Sequence, residues 1–224
     1  MGRAISEVLP FAVGVAISPL PIIAVILVLF SARARVNGPV FALGWVVGVA
    51  VVSVVVYFVA DAGDVSSGGS ASDGSYWAKL VVGLLLVVSA FRHWRKRPAP
   101  GETTDQPKWM AAIDTLTPVK TGGLAVLLAA ANPKNLALSL AAGASLAQAG
   151  VSAGEATVGL IVFVVIASVS IVVPVVFYLG GGERAAHVLD GWRTWLSTHN
   201  TAMMAVLFLV FGVVLFSQGL RGLT

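Results

Sequence analysis

The sequence predicts an all-α polytopic membrane protein, with six transmembrane helices in two inverted three-helix repeats and with helices 1 and 4 broken. Three observations predict it. The chain is 58% hydrophobic and only 11% charged, with a mean hydropathy of +0.93, whereas a soluble domain carries roughly 25% charged residues. Six apolar runs approach the roughly 20 residues that a bilayer crossing needs. Finally, Ser18-Pro19-Leu20-Pro21 interrupts the first run and Asn132-Pro133-Lys134-Asn135 interrupts the fourth. Pro19 and Pro133 lie 114 residues apart in a chain of 224, so the interruptions fall at matching places in the two halves. A proline inside a helix removes a backbone N–H and displaces the carbonyl four residues earlier. Lipid cannot satisfy such groups, so they are tolerated only within protein or beside a wet cavity. Paired broken helices are the best sequence pointer to a transporter's binding site.

Taken in order, the spans are Ile5–Phe30, Pro39–Ala60, Tyr76–Trp94, Pro118–Ala147, Ala156–Leu179 and Thr201–Leu220. The first is far longer than the apolar core of a signal peptide and has no basic cluster before it, so cleavage after Ala32-Arg33-Ala34 is not expected. The third is the shortest, and Lys79 must snorkel for it to cross. Asp61 to Ser75 reads as a flexible polar loop. The third loop opens with Arg92-His93-Trp94-Arg95-Lys96-Arg97 and ends in a short amphipathic piece with Trp109, Ile113 and Leu116 on one face, predicted to lie along the membrane surface. Thr117-Pro118 supplies an N-cap and a proline at the first helical position, which starts the fourth helix. Three segments follow: residues 1–95 as the first repeat, 96–117 as a cytoplasmic linker, and 118–224 as the second repeat.

Loop charge gives the orientation. With the third loop inside, loops one, three and five carry two, six and two Lys/Arg, against Arg3, Lys79 and Arg221 outside. That obeys the positive-inside rule. A re-entrant fourth segment is the alternative, with nine basic residues against four. The net charge of +4 is thus spent on orientation and lipid contact rather than nucleic acid. Cysteine is absent, which excludes disulfides and thiolate metal sites. No cofactor or metal is expected, since His93, His187 and His199 lack metal-ligand spacing, and no Ser/His/Asp arrangement suggests an enzyme. Gly180-Gly181-Gly182 reads as a flexible exit from span five, and Pro10 and Pro174 as simple kinks.

Lys134 is the sharpest candidate. It stands sixteen residues past Pro118, about 24 Å along a helix, at a cost on the order of 2.5–3.5 kcal/mol on insertion scales. No Asp or Glu lies in mid-span. Its charge must be met by freed carbonyls, by water, by an anionic substrate group such as a phosphate, sulfate or carboxylate, or by loss of the proton. Ser18, Asn132 and Asn135 can each donate and accept hydrogen bonds, either to a substrate or to the backbone groups that the prolines release. Asp114 is a solvated loop carboxylate or a proton-coupling, gating group at the cytoplasmic mouth.

Ile17-Ser18-Pro19-Leu20-Pro21-Ile22-Ile23-Ala24-Val25, Asn132-Pro133-Lys134-Asn135-Leu136 and Trp109 through Pro118 together resemble the GAP, or Sap, family of the LysE-type transporter superfamily, along the full chain. The resemblance implies a LysE-like fold, a plasma-membrane location in an actinobacterium, and movement of a peptidoglycolipid or sulfolipid toward the cell surface. It points to Pro19, Pro21, Asn132, Pro133, Lys134 and Asn135 as the conduction core, and to Asp114 as a family-typical position. Expected partners are membrane lipids, a lipid or glycolipid substrate, and a larger lipid-export machine or a second copy of the chain. Export of an amino acid or cation, and a non-transporting scaffold role, are the alternatives.

Overall fold

The computed structural model describes residues 1–66, 73–95 and 113–223. These are helical, with no strand among them. The helices are α1 (Gly2–Ala16), α2 (Pro19–Phe30), α3 (Ala34–Ser66), α4 (Asp73–Arg95), a 3-10 turn (Ile113–Thr115), α5 (Pro118–Ala130), α6 (Pro133–Gln148) and α7 (Ala153–Leu223). Several are long and apolar, which makes this a membrane protein. Among the described residues, three helical stretches are long and apolar enough to cross a bilayer: Ala34–Val59, Ala153–Gly182 and Arg184–Ser217. The count rises to five if each of two bent pairs is one span.

The bent pairs are the predicted broken helices. α1 and α2 meet at 52°, and α5 and α6 at 60°. In both cases the proline stands at the first position of the second helix, where no backbone bond exists to lose. The prolines therefore start α2 and α6, so neither removes an intrahelical hydrogen bond. Pro10 and Pro174 lie inside α1 and α7.

Elsewhere the helices outrun their predicted limits. α3 reaches Ser66 and α4 starts at Asp73, so the loop expected over 61–75 shrinks, and residues 67–72 fall outside the described ones. α4 covers the expected third span, Tyr76–Trp94, within one helix. The largest departure is the expected fifth loop. Arg184 to Asn200 is helical and runs directly into the last span. Its charges suggested a loop, but Ala185, Leu189 and Leu196 are buried while Arg184, His187 and Asp190 are exposed, the pattern of an amphipathic helix. The break falls at Gly182 (φ 54°, ψ −134°), a conformation that essentially only glycine adopts.

The chain forms two compact units, Met1–Ala62 with Gln106–Trp195 and Gly63–Asp105 with Leu196–Thr224. In the first unit α2 is the central element, with eight of its twelve residues buried, as a helix apolar all round requires. Around it the other helices pack through small residues, because lipid offers no hydrophobic drive for helix association. A Cβ on Gly44 would stand 2.7 Å from the Gly122 carbonyl oxygen, and one on Gly48 would stand 2.8 Å from the Ala129 Cβ. α3 and α5 thus run side by side in backbone contact. Trp45 is fully buried and its Nε1 donates to the Ala167 carbonyl at 3.2 Å, which pins α3 to α7. In the second unit, Gly83 and Gly212 bring α4 and the C-terminal part of α7 together in the same way.

Candidate functional site

Both breaks belong to the first unit, and helix packing brings them level. Gly159 of α7 touches Ala4 of α1 and Leu146 of α6, and α1 packs along α6. Helices that are level at Ala4 and Leu146 and still share their length must run antiparallel. Ile17 and Pro133 each lie thirteen residues farther along, about 20 Å. The end of α1 and the start of α6 therefore sit at one depth. α2 packs against α5, so the two bent pairs are cross-paired, each half of one against the opposite half of the other.

The local chemistry of the second break is almost fully assigned. Thr117 caps α5, its side chain accepting from the Lys120 N–H at 3.5 Å. α5 ends at Ala130, and the Ala131 N–H bonds the Leu127 carbonyl at 2.8 Å. The next helix begins at Asn132, whose Oδ1 accepts the Lys134 N–H at 3.1 Å. Pro133 has no N–H to satisfy. Asn135 reaches back across the break, its Nδ2 donating to the Leu128 carbonyl at 3.2 Å. The two asparagines thus hold the bend, pairing backbone groups that helix ends leave open.

Lys134 does not share in this pairing. The residue is 4% exposed, and its Nζ is buried with no hydrogen-bond partner among the described residues. The Oδ1 of Asn135, itself 1% exposed, is equally unpaired. Pro133 stands on the exposed side of the break and Asn132 is half-buried. At the first break Ser18, Pro19 and Pro21 are all buried. Ser18 opens α2 without a side-chain capping bond, and its N–H bonds the Val15 carbonyl at 3.1 Å. Two helix N-termini, α2 and α6, thus begin at this depth, and each carries a partial positive charge. With the Lys134 ammonium, the set has the makings of an anion site.

Of Asp114 only the backbone is described. Its backbone lies in the 3-10 turn packed on α2, and its side chain falls outside the described residues, as does Trp109. Ile113 is buried and Leu116 half-buried, so the end of the third loop is packed inward rather than spread along the surface. Asn37 holds it there. This side chain is 1% exposed and donates from Nδ2 to the Leu116 carbonyl at 3.0 Å. Arg193 lies over the Phe30 ring, 5.9 Å from its centroid, and pairs with Asp190 at 3.0 Å. The segments read as loops one, three and five therefore meet at one end of this unit.

A comparison with protein-family models matches residues 8–221 to the family described as Sap, sulfolipid-1-addressing protein. The chain belongs to the sulfolipid-1-addressing family. No curated protein and no solved structure matches it. Membership covers both breaks and every candidate residue, and gives the family a role in lipid export or addressing. Sequence reasoning had missed several buried polar residues beyond the motifs. Ser139 and Ser145 are buried on α6, Ser168 is buried on α7 with its Oγ unpaired, and Asn37 is buried on α3. The signal for Ser139 was present, since it lies four residues after Asn135, on the same helical face.

Proposed function

We propose that this protein is a plasma-membrane exporter that carries an anionic lipid, with the headgroup bound at the level of the two breaks by Lys134 and the helix N-termini beside it. The observation that carries the reading is a buried lysine whose ammonium has no partner among the described residues, at the junction of two cross-paired broken helices. An intramembrane charge that is expensive to bury and left unpaired is functional by default, and broken helices are where transporters bind substrate. A phosphate, sulfate or carboxylate would meet the ammonium and the helix ends together. Membership of a family named for sulfolipid addressing supports a lipid as the carrier of that anion.

In the six-span version of this reading, α4 is the remaining crossing, and each half contributes one bent pair and two further helices. The positive-inside count puts the end bearing Asn37, Leu116 and Arg193 in the cytoplasm. Ser18, Asn135 and Ser139 line the passage, and Asp114 stands at its cytoplasmic mouth.

Lipid profiling of a deletion strain tests the function. Surface and whole-cell extracts should differ by an anionic lipid that is retained inside and depleted outside. Identical extracts from deletion and parent would contradict export.

A further inference from the structure

α3 and α7 run antiparallel and close at one end, where Gly38 meets Val175 and Trp45 bonds Ala167. Toward the other end they part. The opening is a groove of about 520 Å³ lined by Ala50, Val54, Tyr57 and Phe58 of α3 and by Thr157, Ile161 and Val165 among the residues of α7. Both walls rest on α6, through Gly143 against Val56 and Tyr57 and through Leu146 against Gly159. Apart from the Thr157 and Tyr57 hydroxyls, the named side chains are apolar, and the walls belong to two of the stretches long and apolar enough to span the membrane.

The depth of the groove narrows what fills it. Along α7 it runs from Ala153 to Val165, about 18 Å, against the roughly 15 Å that one leaflet contributes to a 30 Å hydrocarbon core. Its inner end is at the level of the second break: Gly48 touches Ala129 before the break and Val56 touches Gly143 after it, and Ala50 and Val54 lie between. The groove thus reaches from the membrane surface near Ser152, the residue before α7, to the depth of Lys134. An extended hydrocarbon chain of one leaflet covers that same interval, with its polar end at the surface.

We infer that this groove holds an acyl chain of a membrane lipid, admitted sideways from the leaflet at the N-terminal end of α7. The inference rests on the lipid-export reading and adds to it where the tail lies: outside the packed helices, on the face of α3 away from α5. On the orientation above, that leaflet is the outer one, so the groove serves the lipid as it leaves.

The test uses the full chain in phosphatidylcholine vesicles doped with a phosphatidylglycerol that carries a diazirine in one acyl chain. After irradiation, labelled peptides are mapped. Labelling at Val54, Phe58, Ile161 and Val165 should exceed, several-fold, that at Leu43, Val173 and Val176. Phe58 and Val176 are 62% and 63% exposed, so simple lipid exposure predicts equal labelling, and equal labelling would overturn the inference. Ile161→Trp and Val165→Trp change exposed side chains and fill the groove; groove labelling and export should both fall, with Val176→Trp affecting neither. A disulfide dimer of Phe58→Cys excluding the label would assign the groove to a second copy and overturn the inference also. If labelling is uniform while Lys134→Met still abolishes export, only the groove assignment fails. If the groove labels but the deletion strain shows no lipid defect, the export reading fails instead.

Discussion

Replacing Gly44 or Gly48 by alanine puts the packing of the broken helices under direct strain. At Gly48 the added carbon would stand 2.8 Å from the Ala129 Cβ and 3.2 Å from the Val126 Cα. Ordinary contact between carbons begins near 3.5 Å, so α3 must retreat from α5 by about 0.7 Å. Overpacking of this kind costs about 1–3 kcal/mol, offset by the roughly 1 kcal/mol that alanine gains over glycine in a helix. At Gly44 the obstacle is the Gly122 carbonyl oxygen at 2.7 Å, backbone that has no rotamer to yield. Apparent thermal stability in detergent, read as loss of the monodisperse peak, should therefore fall in the order wild type, Gly48→Ala, Gly44→Ala. Ala129→Gly should rescue part of Gly48→Ala, with a coupling of about 0.5–2 kcal/mol in a double-mutant cycle. Gly191→Ala, with nothing near its added carbon, is the control and should be neutral or stabilising. If Gly44→Ala were as stable as wild type, the helices would not be in backbone contact and the placement of the second break would lose its support.

Other perturbations follow from the same geometry. Asn135→Leu keeps the branched shape but leaves the Leu128 carbonyl without this donor in the interior, at a cost of about 1–3 kcal/mol, and should lower the same apparent melting temperature. Gly182→Ala forces a side chain into a left-handed conformation with free space around it, so its cost of about 1–3 kcal/mol is purely conformational; valine there should be no better. Single cysteines at Ser70 and Lys96, in a chain with none of its own, should react with an impermeant thiol reagent from opposite sides of the membrane, Ser70 from outside. Reaction of both from one side would reverse the loop assignment.

The parts of this fold legible in the sequence are those set by local chemistry. Proline after Ser18 and after Asn132 marks a helix start wherever it occurs, so both breaks were visible, as was the Thr117-Pro118 opening of α5. Lys134 was visible because depth along a helix follows from counting residues. Contacts between distant segments were not. Gly44 and Gly48 look like ordinary membrane glycines until Gly122 and Ala129 face them, and Asn37 acquires its role only from the Leu116 carbonyl. The stretch after Gly182 was misread for a different reason: charge density was weighed above the spacing of Ala185, Leu189 and Leu196, which is helical. The polar stripe Asn135-Ser139 was written in the sequence at helical spacing but is diluted by the alanines around it.

The most direct measurement is export of the anionic lipid by Lys134→Met and Lys134→Arg at matched membrane expression. Methionine keeps length and apolar stem, so the variant should insert and fold as well as wild type or better, being relieved of a buried charge. Its export should nevertheless be lost. Arginine keeps the charge but replaces a point ammonium with a planar fork, and should retain only part of the activity. Export at the wild-type rate by Lys134→Met would show that the lysine is structural and would contradict the headgroup site.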